Sequence, residues 1–146
     1  MKSVYLAGRI DNRKLLEAIT WRENAERLLL VGGVNTYNPL RGCYKMTGAY
    51  PLEYRAYGNI DYDFLYRRDL LDIDNSDIVL VNLDKVQQGA GTLFEIGYAS
   101  SKGKALYAFN GTDSLREHMF ITNSCKILSF SDCIIEIVNQ YGNGVV

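Results

Sequence analysis

The chain has 146 residues, 47% of them apolar and 23% charged, with a formal net charge of −1 at pH 7. That composition fits a globular unit burying roughly two-thirds of its unfolded surface, a core that needs no disulfide or metal staple. Acids and bases are interspersed, which excludes a basic footprint for duplex nucleic acid and leaves small molecules, a single nucleotide included, as partners.

The opening MKSVYLAGRIDNRK is a short apolar run ended by charges. It is too short for a signal peptide and lacks a cleavage site, and no window is apolar enough to span a bilayer, so a cytoplasmic protein is expected. Ser3 to Gly8 reads as a buried strand ending in glycine, and Arg13 to Leu30 as a helix with Ile19, Ala25 and Leu29 among its apolar positions. Val34 to Pro39 is a second strand, stopped by proline. The connection from Leu40 to Asn59 is too long to be simple and carries Tyr44, Tyr50, Tyr54 and Tyr57. A loop of that length in a compact domain serves as a lid or binding loop, or its tyrosines pack against a neighbouring subunit.

A helix from Asn59 to Asp74 leads to the clearest strand, Asp77 to Asp84, and a further helix runs from Thr92 to Lys102. Strands over Ala105 to Gly111 and Lys126 to Phe130 follow, then a helix from Asp132 to Tyr141. Continuous apolar strands separated by helices predict a parallel sheet covered on both faces. The expected fold is α/β, one three-layer domain over residues 1–146 with a five-stranded parallel sheet, flavodoxin-like or Rossmann-like, without internal repeats.

In such sheets ligands bind beyond the carboxyl ends of the strands, near the point where strand order reverses. The rule selects Gly8, Arg9 and Ile10 after the first strand, Asn38 after the second, and after the third the segment that carries Gly89, Gly91 and Thr92. Cys43, Cys125 and Cys133 are scattered and His118 is the single histidine, too few ligands for a zinc site. Free thiols are expected, with no metal and no cofactor.

Thr92-Leu93-Phe94-Glu95 has the form of a capping box, Thr92 bonding the amide three residues on and Glu95 reaching back, for about 1 kcal/mol of local stability. Gly89-Ala90-Gly91 does not open a dinucleotide fingerprint, because Phe94 stands where a third glycine is needed. Lys102-Gly103-Lys104 ends a helix, where lysines suit the dipole, and is no phosphate loop. No serine sits in a nucleophile elbow. Carboxylate chemistry remains, and it needs a second acid. On a helical projection Ile60, Phe64 and Leu71 form one apolar stripe, and Tyr62, Leu65 and Ile73 a second that contains Asp69. Desolvation there raises the pKa of Asp69 and suits a proton donor, unless Asp69 is a surface acid paired with Arg67 or Arg68. Asp72, Asp74 and Asp77 read as solvated or turn-forming.

YLAGRI, YNP, RRDLLDIDNSDIVLVNLD and GTLFEIGYA occur in an order and spacing that resembles the nucleoside 2-deoxyribosyltransferase superfamily, which includes the 2'-deoxynucleoside 5'-phosphate N-glycosidases. The resemblance covers roughly residues 4 to 109 and is most specific in the last block. It implies that Glu95 is the nucleophile that attacks the anomeric carbon of a 2'-deoxyribonucleoside. It further implies that Asp69 contacts the departing base and that Gly8, beside Arg9 and Ile10, lies against the sugar. A carboxylate can trap an oxocarbenium-like centre as a covalent intermediate while an acid protonates the leaving group. A helix N-terminus at Glu95 would keep it ionised.

The chain departs from the family pattern at two positions. Gly89 stands where many transferases carry an aspartate, and Arg9 where they carry proline, a guanidinium suited to a 5'-phosphate or to pairing with Asp11. Both favour an N-hydrolase of deoxynucleotides over a base-exchanging transferase. The remaining alternative is a nucleotide-binding module without turnover. The resemblance also implies a homodimer or higher homo-oligomer with shared sites, in which the segment around Glu117, Met119 and Asn123 completes the site of a neighbouring subunit.

Overall fold

In the computed structural model, which describes residues 1–11, 14–44, 46–48, 50–51 and 61–144, the first apolar run forms β1 (Ser3–Gly8), buried at every position. A strand covered on both faces has no wet side, hence the absence of polar alternation. Helix α1 (Leu15–Val31) brings Leu15, Ala18, Ile19, Ala25 and Leu29 to the core, and β2 (Asn35–Tyr37) follows. A hairpin of β3 (Met46–Thr47) and β4 (Tyr50–Pro51) occupies part of the connection in which no element was expected. The chain continues through α2 (Tyr62–Asn75), β5 (Ile78–Asn82), α3 (Ala90–Ser101) and β6 (Ala105–Phe109). Two short helices, α4 (Asp113–Arg116) and α5 (Met119–Ser124), precede β7 (Lys126–Ile127) and α6 (Phe130–Tyr141).

The main sheet has the order β2-β1-β5-β6-β7 and every pairing in it is parallel. This is the expected flavodoxin-like sandwich. Strand order reverses between β1 and β5, whose last residues Gly8 and Asn82 are register partners. A crevice outside those two carboxyl ends is where such a sheet takes its ligand.

Alternation along β1 divides the core. Val4 and Leu6 join Leu29, Leu80, Phe109 and Ile134 on the side of α1 and α6. Tyr5 and Ala7 join Val79, Val81, Ile96 and Ala99 on the side of α2 and α3. This register aims Tyr5 at α3.

Two expectations for α2 are corrected. Its buried residues are Leu65, Asp72 and Ile73, whereas Phe64 and Leu71 of the first apolar stripe are 60% and 57% exposed. A projection yields two stripes and only contact with the sheet decides between them; Ile60 lies outside the described residues. Asp72, expected in solvent, is buried and meets Arg41 Nη2 at 2.6 Å. The helix begins behind Asp61, whose carboxylate accepts from the amides of Asp63 and Phe64. Of the loop tyrosines, Tyr44 donates to Glu23 at 3.2 Å; Tyr54, Tyr57 and the side chain of Tyr50 lie outside the described residues. The three cysteines are free and buried. Among the described residues, no helix is long and apolar enough to cross a membrane.

Candidate active site

Helix α3 starts at Ala90 with Gly89 as its uncapped N-cap, two residues before the expected start. Thr92 is therefore inside the first turn and buried, and the anticipated capping box does not form. Glu95 is free to point elsewhere: its Oε2 accepts a hydrogen bond from Tyr5 Oη. Glu95 also lies beyond the first turn, where the helix dipole has faded, so the expectation of a dipole-held anion is corrected as well. Burial pushes the Glu95 carboxyl up to about 7; the Tyr5 bond opposes this, the charge of Asp69 adds to it, and Arg22 opposes it. Burial and the nearby acids raise the Tyr5 phenol well above its usual range, which keeps it a donor.

Asp69 reaches the same region from α2. Burial lifts its pKa to about 6 against the pull of Arg68. Arg68 donates from Nε and Nη2 to Asp69 Oδ1, at 3.3 Å each. The same guanidinium donates to the carbonyls of Pro39 and Arg41, tying the turn after β2 to α2. Arg67 pairs with Asp63 instead.

The turn after β1 is tightly packed. A Cβ on Gly8 would meet Trp21 at 3.0 Å and the Asn82 Cβ at 3.3 Å, so glycine lets this backbone lie flush beside β5. Arg9 pairs with Asp11 at 3.3 Å, and its stem covers Gly89, where a Cβ would stand 3.2 Å from Arg9 Cγ. Gly91 has open space around it. A cavity of about 60 Å³ lies beside this turn, lined in part by Arg9, Asp11, Trp21, Asn82 and Lys85.

Other predicted residues have structural partners or stand apart. Ile10 packs against the cluster of Leu15, Ala18, Ile19 and Leu40. Asn38 is buried and its Oδ1 accepts from the Leu40 amide at 2.9 Å, fixing the turn after β2. Met119 opens α5 on the surface, 63% exposed beside Phe120 at 69%.

Two residues at the site were not singled out from sequence, Tyr5 and Arg22; Arg68 was named as a possible partner of Asp69, and it pairs with it. An aromatic residue in a buried strand reads as core, although its hydroxyl, which needs a partner when buried, is a usable signal. Arg22 sits in the polar run WRENAER and carries no such signal. Among the described residues no three His, Cys, Asp or Glu side chains are grouped to hold a metal ion. The groups available for chemistry are two carboxylic acids of raised pKa, a phenol donor and guanidinium cations.

A parallel sheet of this order, with two such acids beyond the reversal of its strands, defines an α/β protein whose site suits acid-assisted carboxylate chemistry on a small ligand. The chain belongs to the nucleoside 2-deoxyribosyltransferase family, whose model matches residues 4–125, and it is an enzyme of the class that acts on N-glycosyl bonds. Among solved structures it is similar to the 2-desoxiribosyltransferase from Leishmania mexicana, with a TM-score of 0.68 and 18% identity over 97% of this chain and 99% of that one. It is also similar to the 2-deoxyribosyltransferase of Bacillus psychrosaccharolyticus, at a TM-score of 0.64 and 19% identity over 90% and 89% of the two chains. A conserved protein from Enterococcus faecalis V583 matches with a TM-score of 0.64 and 18% identity, over 96% of this chain and 98% of that one. At these identities the likeness is one of fold. No curated protein matches the sequence.

Proposed function

We propose that the protein hydrolyses the N-glycosidic bond of 2'-deoxynucleoside 5'-monophosphates, or of the corresponding deoxynucleosides, through a covalent deoxyribosyl-Glu95 intermediate. The observation that carries this reading is the placement of Glu95, held by Tyr5 Oη and subject to the charge of Asp69. In the first step a Glu95 oxygen bonds to C1' as the C1'–N bond breaks, and the bonding pair leaves with the base. Protonated Asp69 gives its proton to that base. In the second step water attacks C1', the Glu95–C1' bond breaks, and the Asp69 carboxylate takes the water proton. A sugar without a 2'-hydroxyl reaches the cation-like state more easily, because an electron-withdrawing oxygen is missing.

Support for water as acceptor, and for a phosphate on the substrate, comes from Arg9 and Gly89. The arginine stem covers the glycine, which leaves no carboxylate at that position to hold a second base. The guanidinium pairs with the Asp11 carboxylate, a partner that a phosphate can replace. Gly8 and Gly91 would frame the sugar, backed by Ile10 and Thr92 from their packed positions, and Asn38 would fix the turn after β2. The second reading, base exchange between deoxynucleosides, is favoured by the family itself and by the two named transferases of like fold. A binding module without turnover is the third.

We further read residues 1–146 as one cytoplasmic domain that assembles as a homodimer or higher oligomer, with Met119 or its neighbours reaching the partner's site. The aromatic row of exposed Tyr66 and Phe94 and half-buried Tyr98, with Phe94 adjacent in sequence to Glu95, supports an interface close to the site.

The test is chromatography after incubation with each deoxynucleoside and each 5'-monophosphate, with and without a second free base. Base released from monophosphates alone is expected. A swapped nucleoside establishes base exchange instead. If no substrate loses its base while Glu95→Ala still binds nucleotide, the third reading replaces the first.

A further inference from the structure

We infer that Arg22, which takes no part in the steps above, is the positioning residue of the nucleophile: it completes the carboxyl end of β1 where the sheet leaves it unfinished, and it brings a fixed positive charge to Glu95. This rests on the reading of Glu95 as nucleophile.

The unfinished edge follows from strand lengths. β2 pairs with β1 only through Ser3, Val4 and Tyr5, while β1 runs on to Gly8. Among the described residues, the three that carry β1 into the site, Leu6 to Gly8, have no strand on the β2 side. Arg22 reaches across from α1, completely buried, and serves that edge in place of a strand. Its Nε donates to the Leu6 carbonyl at 3.3 Å and its Nη2 to the Gly8 carbonyl at 2.8 Å. Nη1 bonds the Ala18 carbonyl of its own helix at 2.9 Å, and the guanidinium lies 4.6 Å from the centre of the Trp21 ring. Trp21 also touches the space above Gly8, so stack and turn are one packed unit.

A planar fork spreads five donors over three nitrogens and reaches the carbonyls of Leu6, Gly8 and Ala18 from separate atoms, whereas an ammonium must serve all of them from one. Carbonyls are dipoles and solvate the cation without cancelling its charge, so the field of Arg22 extends to the acids nearby. The charged and titratable groups that act on Glu95 are Tyr5 from β1, Asp69 from α2 and Arg22 from α1. Arg68, Arg41 and Asp72 act on Asp69 behind it. Among the described residues Arg22 is the cation that acts on Glu95; its influence is smaller than those of burial, the Tyr5 bond and Asp69, and it opposes burial in favour of the carboxylate that attacks. The arginine that shapes the Gly8 turn, against which a sugar would lie, is therefore also the one that readies the nucleophile.

The experiment follows the Glu95 side-chain carboxyl by ¹³C NMR as pH is varied in the folded protein, with Glu95→Gln identifying the signal. Arg22→Met and Arg22→Gln, checked for folding by circular dichroism, remove the charge; Arg22→Lys keeps it. The Glu95 midpoint is expected to rise by roughly half a unit to one unit in the neutral variants and to return toward the wild-type value in Arg22→Lys. The alkaline limb of kcat/KM, which follows the higher of the two midpoints, should move with it, and the maximum should fall. A neutral variant that folds and titrates as the wild type overturns the inference. If neither neutral variant folds, Arg22→Lys decides: loss of the fork should lower kcat while KM holds, and an unchanged kcat overturns the inference. A wild-type protein without turnover refutes the functional reading, while the NMR shift still tests the electrostatic link.

Discussion

Glu95 and Asp69 are both lifted by burial, to about 7 and about 6 respectively. The proposed step needs the first ionised and the second protonated, the reverse of the order in which they release protons. The competent form is then a minority at every pH. kcat/KM should trace a bell with limbs near 6 and near 7, values that belong to the pair rather than to either residue. Initial rates from pH 5 to 9 check this, and Asp69→Asn should abolish the alkaline limb and slow turnover by about 100-fold or more. A profile still falling on the alkaline side in that variant removes Asp69 as the acid.

The same shift bears on stability. A carboxyl whose pKa rises from 4.5 to about 7 on folding holds its proton more tightly in the folded state. The folded protein therefore gains from this group at low pH and loses that gain as pH rises from about 4.5 to about 7, after which the effect is constant. Glu95→Gln is expected to be more stable than the wild type at pH 8, by on the order of 1–3 kcal/mol. The difference should shrink toward pH 5, as urea unfolding at the two pH values would show. Equal stabilities at pH 8 would mean that the carboxylate is solvated. Function and stability compete at this residue, as they commonly do where a site needs a strained or desolvated group.

At the scale of elements, the lengths of β2 and α3 decide what the site contains. Because α3 starts at Ala90 rather than Thr92, the threonine becomes core and the glutamate is released from capping to meet Tyr5. Because β2 stops opposite Tyr5, the end of β1 depends on a side chain from α1. The flush packing of Gly8 on Trp21 and Asn82 belongs to this scale too. Gly8→Ala must displace the indole by a few tenths of an ångström and should cost about 1–3 kcal/mol, with a larger loss in kcat/KM than in melting temperature. If activity survives intact, the substrate does not lie against this turn.

At the scale of the whole molecule, the surface of α2 and α3 presents Tyr62, Phe64, Tyr66, Leu71 and Phe94, each more than half exposed. Tyr66 and Phe94 bring α2 and α3 together, their ring centres 6.3 Å apart, and exposed aromatic residues in contact mark an interaction surface. Light scattering on the purified protein is expected to give a dimer or a multiple of one. Phe94→Glu, an exposed position whose change leaves the core untouched, should shift it toward the monomer and lower activity together with assembly. A wild-type monomer with full activity would end the reading of a shared site.

The sequence by itself determined the sheet and its class. Ser3 to Gly8, Asp77 to Asp84 and Ala105 to Gly111 are apolar runs without alternation, the pattern of strands covered on both sides, and the helices between the strands imply parallel crossovers. It also placed Gly8, Arg9, Gly89, Glu95 and Asp69 at strand ends or on the helices beside them, because the position of a ligand in such a sheet follows from topology. Only the tertiary structure decided which stripe of α2 is buried, where α3 begins, and which side chains act on Glu95. Tyr5 and Arg22 arrive from elements distant in sequence, and the tyrosine is brought there by register and the arginine by the early end of β2. Burial raises the pKa of Glu95, and burial is a property of what packs around a residue, which no local pattern contains.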